Sequence, residues 1–333
     1  MIRPTAGSAD ASGPLRRPGA GRAVAVLVLV AVAALVPLLG PSAALHGTGE
    51  AAAPGARGIA LLRGVLFAAL CVPVGELFVN RLVRSLPGAP ADAPGSWAPY
   101  AAAAGFVAAL GLASVVSTGN LVPHSLAEID VGGLYDSRDG KLALVEVNGF
   151  LAAGLCALSR RPAAQVWPLA AVVVAEALRA HPTTEHGPLL GSGLTLVHLT
   201  CATLWAGGLL HALRTLRQWG PSEAGPALLG LYARVAAVLL AAITATGVWS
   251  SLRRMPSHTI LDQLTTTAYG RTLLAKVILV TAVAVLALWA RIRLRRADDP
   301  LTASAPARAE VVALGVVVLV TGLLTALPLP IRW

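Results

Sequence analysis

The sequence predicts an all-α fold, a polytopic transmembrane helical bundle of about eight to nine helices with its N-terminus cytoplasmic and its C-terminus extracytoplasmic. Three observations lead there. Of 333 residues, 56% are hydrophobic and only 13% are charged, against the ~25% charged residues of a soluble domain. The apolar residues gather in blocks long enough to cross a hydrocarbon core of ~30 Å. Basic residues crowd into alternate connecting loops, the bias that marks cytoplasmic loops. The same composition excludes a cytosolic enzyme, a nucleic-acid binder and a secreted disulfide scaffold.

Nine apolar blocks follow in order, at 23–39, 59–79, 97–117, 142–158, 165–178, 191–213, 228–250, 271–291 and 310–327. Residues 1–22 hold Pro, Gly, Arg and Ser without apolar periodicity and read as a disordered cytoplasmic tail. Residues 23–44 are a first transmembrane helix or signal-anchor. Ser42-Ala43-Ala44 follows the run as a signal-peptidase site would, but retention and cleavage leave the later helices in the same orientation. Residues 45–190 then form an N-terminal four-helix membrane half and 191–333 a C-terminal one. Pro87 to Pro99 is an irregular inner loop, and Thr118 to Lys141 is the longest outer loop. The basic stretch Arg291 to Arg308 suits anionic headgroups. Sliding 65–84 onto 198–217 aligns Gly75 with Gly208, Arg81 with Arg214 and Arg84 with Arg217. That faint repeat fits two parallel halves.

The formal charge of +10 is a topology signal. One set of loops, from Arg3 to Arg308, holds fifteen basic residues against six acidic ones, whereas the opposite set holds eight and seven. Cys71, Cys156 and Cys201 lie inside apolar blocks without CxxC spacing, so they serve as small hydrophobes rather than as a disulfide or zinc framework.

Ionisable groups inside a bilayer are costly and therefore candidate functional residues. Here they are Arg63, Glu76, Glu146, Glu176, His198, Arg234 and Lys276, with His211 near an inner end. Glu76, Arg81 and Arg63 can snorkel or pair close to the two surfaces. The outer side is the informative one, because His46, His124, His181, His186 and His258 all fall in outer loops. The run from Glu176 to His186 reaches the outer surface above His198, which lies ~10 Å down its own helix. Imidazole and carboxylate at one mouth suit a borderline divalent metal, copper(II) or zinc among them. A packing role for His198 stays open beside this. With Met1 and Met255 the only methionines, a thioether ladder for copper(I) is not available. His198 and His211 share one helix, on different faces, so a bis-histidine haem lacks its second axial ligand. No phosphate loop, HExxH or GxSxG motif occurs, which leaves no sign of an enzyme.

The segment His198-Leu-Thr-Cys-Ala-Thr-Leu-Trp205-Ala-Gly207-Gly208 resembles a hallmark helix of the copper resistance protein D (CopD) family. Thr265-Thr-Thr-Ala-Tyr269-Gly270-Arg271-Thr-Leu-Leu-Ala-Lys276 resembles that family's TPYGRLLLxK signature, with Ala268 where proline is frequent. Between them, Tyr232-Ala-Arg234 and Thr244-Ala-Thr-Gly247 are similar to its RFSR and TG helix. The resemblance covers about residues 190–296. It implies a multi-pass protein of the bacterial plasma (inner) membrane that handles copper, in uptake or homeostasis, beside membrane lipid and a periplasmic CopC-like copper carrier. Nucleic acid is not among the expected partners. The expected metal residues are His198, His181, His186, Glu176 and His124, of which His198 alone lies within the motif. Two alternatives stand: a non-transporting assembly or sensing partner for copper proteins, and a proton-coupled solute carrier working through Glu146 or Glu176. Gly207-Gly208 should let helices approach closely, and Arg271 or Lys276 is expected to pair with Glu146 or Glu176.

Overall fold

The computed structural model describes residues 34–327 except 120, 124, 182, 184–186, 221, 256–258 and 297–303. Its longer elements, in chain order, are α1 (Ala34–Leu45), α2 (Ala56–Arg84), α3 (Ala98–Ser117), α4 (Val131–Asp136), α5 (Arg138–Leu158) and α6 (Val166–Arg179). They continue with α7 (Pro188–Trp219), α8 (Ala224–Arg254), α9 (Ile260–Thr266), α10 (Ala268–Arg296) and α11 (Ser304–Ala326). No strand occurs among the described residues. Among the described residues, six helices are long and apolar enough to cross a membrane: α2, α3, α5, α7, α8 and the 268–286 part of α10. Helix α6 has 14 residues, about 21 Å at 1.5 Å per residue.

Local sequence fixes most ends. Asp130 and Ser137 accept the amides of Gly133 and Gly140, each at 3.0 Å, which starts α4 and α5 with side-chain caps. Gly187 takes a left-handed φ of 68° just before Pro188, a turn glycine followed by a proline whose missing N–H costs nothing in a first turn. The stretch 118–141, expected to be a plain outer loop, contains a short 3-10 turn (Leu126–Glu128), α4 and the first residues of α5. Helix α9 likewise lies where a loop was expected. Such short polar segments carry no apolar period to announce them.

Helix α2 is the hub, packing on α3, α7 and α11. Lipid supplies no hydrophobic drive between helices, so small residues must permit the contact. At the crossing with α7, a Cβ on Gly75 would overlap the Gly207 backbone, and one on Gly207 would overlap the Cys71 carbonyl. The expected role of Gly207 is therefore met, with α2 as the partner. On its other flank α2 meets α11, where a Cβ on Gly322 would sit 2.7 Å from the Gly64 nitrogen. Beside these crossings, Leu66, Leu70, Phe150 and Val172 form a fully buried core among α2, α5 and α6. Trp205, Tyr232, Ile243, Val283 and Leu314 form a second, buried cluster among α7, α8, α10 and α11. The contacts α2–α3, α5–α6 and α6–α7 have counterparts in α7–α8, α10–α11 and α11–α2. The α3–α5 contact has no comparably close counterpart between α8 and α10 among the described residues.

Candidate functional site

Two buried charge clusters hold the helices that frame the site. The first joins α2, α5 and α6. Arg179 reaches Glu146 at 2.5 Å and stands 4.0 Å from Glu176, while Arg63 meets Glu176 at 3.2 Å. Glu146 is wholly buried and Glu176 nearly so. The expected pairing of Arg271 or Lys276 with these carboxylates does not occur. Arg63 and Arg179 are nearer along the helices that the carboxylates themselves occupy or touch, and Arg271 is spent on the backbone oxygens of Thr265 and His46, at 2.7 and 2.6 Å. The second cluster sits at the opposite end. Glu76 accepts from Ser96 Oγ at 2.6 Å, the Trp97 amide at 2.7 Å and Arg214 at 3.0 Å. Arg214 also donates to the Gly95 carbonyl and lies 3.7 Å over the Trp97 ring. His211 Nε2 faces Asn80 Oδ1 at 3.3 Å. Glu76 thus pairs with Arg214, on the partner helix, and pins the entry of α3 to α2 and α7.

The signature from Thr265 to Lys276 builds a tight corner between α9 and α10. Thr267 Oγ1 accepts the Gly270 amide at 3.0 Å and donates to the Gln263 carbonyl at 2.7 Å, capping α10. A Cβ on Gly270 would overlap the Gln263 carbonyl, so only glycine lets the two helices meet. Glu50 accepts the Ala268 amide at 3.1 Å. Tyr269 accepts from Arg254 at 3.2 Å, tying the end of α8 to the start of α10. Tyr232 donates its hydroxyl to the Trp205 carbonyl at 2.6 Å.

His198 projects from α7 against α8. Its Nδ1 lies 3.0 Å from Thr246 Oγ1, and a Cβ on Gly247 would come 3.5 Å from the ring. The Thr246 hydroxyl already donates to the Ala242 carbonyl at 2.7 Å. A hydroxyl has a single hydrogen to give, so towards His198 its oxygen accepts. With the Thr246 hydrogen given to Ala242, Nδ1 carries the proton and Nε2 the lone pair. This is how ligating histidines are commonly held, with the far ring nitrogen bonded to a fixed acceptor. Lys276 of α10 lies within electrostatic reach of the ring.

The remaining candidates are placed separately. His181 is 3% exposed, with Nε2 2.9 Å from Thr195 Oγ1 and its ring packed on Gly191. It is thus a buried residue against the start of α7, although the sequence put it in an outer loop. Glu176 is tied to Arg63, and His46 offers its carbonyl to Arg271. His124, His186 and His258 lie outside the described residues. Among the described residues, no group of three His, Cys, Asp or Glu stands close enough to hold a metal ion together. Sequence reasoning met Thr246 only inside the Thr244–Gly247 resemblance and gave it no role, and it missed Arg254. Thr267 carried a signal that was available, a Thr directly before a helical run.

No curated protein and no solved structure matches the chain. Residues 226–327 match the model of the family described as Copper resistance protein D. That span starts beyond the His198 helix, which contributed to the resemblance seen in the sequence, and runs from α8 through α11. Over that span, which holds the signature at α9–α10, the chain is similar to the copper resistance protein D family.

Proposed function

We propose that this copper-resistance membrane protein takes up or buffers copper from the extracytoplasmic side, with His198 as the metal contact. One observation carries the reading. His198 Nδ1 stands 3.0 Å from the hydroxyl of Thr246, a residue within the family-matched span, and with that hydroxyl as acceptor the Nε2 lone pair is left for a metal. Copper is the cargo here and not a resident cofactor. A single imidazole holds copper loosely, as a site on a path should, since ions must leave as readily as they enter. His181 and Glu176 are offered as secondary contacts nearer the mouth, with His124 and His186 as loop donors. Glu176 and His181 must first let go of Arg63 and Thr195. Lipid surrounds the bundle, and a CopC-like periplasmic carrier is the proposed donor. The orientation that makes this end extracytoplasmic rests on the loop charge bias.

A second reading, a non-transporting partner of copper proteins, gains support from the same pairs. Glu176 and His181 are already engaged by protein groups, as a purely structural bundle would have them. Copper flux into proteoliposomes containing the purified full-length chain separates the two. Saturable uptake that falls at least tenfold in His198→Gln supports the first reading. Tight binding without flux supports the partner role and rejects transport.

A further inference from the structure

Charges inside a membrane are as a rule paired and turned into the bundle. Arg63, Arg179 and Arg214 follow the rule, each meeting a glutamate. Arg234 departs from it. It lies ten residues into α8, ~15 Å from the helix start, with no other charged residue between Glu223 and Arg253. It makes no hydrogen bond and no ion pair among the described residues, and it stands on the exposed side of α8.

The helix face around Arg234 is made of small residues. Gly230 lies exposed one turn towards the helix start, and a Cβ there would meet nothing within 4 Å. Ala237, Ala241, Thr244 and Ala245 continue the exposed stripe along the helix, with Val238 beside them. The exposed side of α10 carries Ile278, Val285 and Leu288 instead, the bulk that suits acyl chains. Small residues let helix backbones approach where lipid gives no hydrophobic drive, and a hydroxyl such as that of Thr244 can bond across such a contact.

A second copy of this chain is the wrong occupant. Copies in one membrane share an orientation, so meeting on this face would set Arg234 beside Arg234, and like charges repel. The carboxylates inside the apolar blocks, Glu76, Glu146 and Glu176, are buried and already held by arginine. The complement to Arg234 must come from another molecule. A lipid phosphate would neutralise the guanidinium too, but it gives the small residues beyond it no role.

We propose that this face of α8 docks a transmembrane helix of another membrane protein, one that carries an Asp or Glu at the depth of Arg234. The carboxylate takes the guanidinium fork, and the Gly230–Ala245 stripe lets the two backbones close. Neither element depends on copper contact at His198.

The experiment is photo-cross-linking of the full-length protein in membranes of its native host, with benzoylphenylalanine in place of Ala241. One protein adduct is expected, its linked peptide an apolar segment that holds Asp or Glu. Arg234→Leu should cut the yield about tenfold, as should the amide in place of the partner's carboxylate. Arg234 is exposed, so the leucine variant should keep the wild-type unfolding midpoint. A synthetic leucine–alanine transmembrane peptide, titrated onto purified protein in phosphatidylcholine vesicles, isolates the pair. Its form with one glutamate at the depth of Arg234 should bind about tenfold more tightly than its glutamine form, and the two should bind alike to Arg234→Leu. An adduct with a second copy, a linked peptide without a carboxylate, or an adduct that survives Arg234→Leu overturns the proposal. So does the absence of any protein adduct. Phosphatidylglycerol retained by wild type and lost in Arg234→Leu, with no protein adduct, would assign Arg234 to lipid and overturn the helix assignment.

Discussion

Thr246→Val is the sharpest perturbation of the copper contact, because it changes one hydroxyl and almost no volume. In the wild type the hydroxyl accepts from His198 Nδ1 at 3.0 Å while donating to the Ala242 carbonyl. Valine removes the acceptor and leaves the imidazole free to turn or to move its proton to Nε2, the nitrogen meant for copper. Loss of an outer hydrogen bond of this kind costs about 10–100-fold in metal affinity, or about 1.4–2.8 kcal/mol at 1.4 kcal/mol per decade. The fold should lose only about 1 kcal/mol, the net worth of one hydrogen bond. Thr246→Ser keeps the acceptor and should stay within about threefold of wild type. Chelator-competition titration of purified protein reads the affinity, and thermal unfolding in the same detergent reads the stability. If Thr246→Val binds copper as wild type does while His198→Gln loses binding, the bond to Thr246 is irrelevant and the tautomer reasoning fails. If both variants bind as wild type does, His198 is a packing residue.

Other consequences concern the framework. Arg179→Met leaves Glu146, fully buried, without its partner at 2.5 Å, and should destabilise by about 3–5 kcal/mol. Adding Glu146→Gln should recover much of that, and no recovery in the unfolding midpoint would count against the pair. Gly207→Val forces a side chain into the Cys71 carbonyl of α2, so a loss of about 1–3 kcal/mol by overpacking is expected in the same assay. An unchanged midpoint would mean that α2 and α7 do not cross there. Thr267→Ala removes the α10 cap, which accepts the Gly270 amide at 3.0 Å, and should cost about 1 kcal/mol. Thr267→Ser should largely restore it.

The helices were legible because the bilayer sets both their length and their composition. The blocks 97–117 and 165–178 fall within a residue or so of α3 and α6. Ends were less legible where a helix runs past the hydrocarbon, as α7 does out to Trp219. There the polar residues give no apolar signal and capping decides. Residues 23–33 and the tail before them lie outside the described residues, as do 297–303 of the basic loop. Pairings were the least legible. The residues Arg63 and Glu176 are 113 positions apart, and nothing in local sequence prefers that match to Lys276 with Glu176. Only the packing of α2 on α6 does. The site divides the same way. His198 stood out as an imidazole inside an apolar block, and the close approach at Gly207 followed from paired glycines. Thr246, on which the imidazole's bonding turns, stood in the Thr-Gly pair of the resemblance, but local sequence gave no sign that it faces His198.

The central claim is that copper meets Nε2 of His198. Pulsed electron paramagnetic resonance of copper(II)-loaded, full-length protein reads imidazole nitrogen on the metal directly, with His198→Gln prepared in parallel. The account predicts a histidine nitrogen signature in wild type that disappears in the variant, together with the copper binding that the titration reads. An identical imidazole signature in His198→Gln would place copper on another histidine and contradict it.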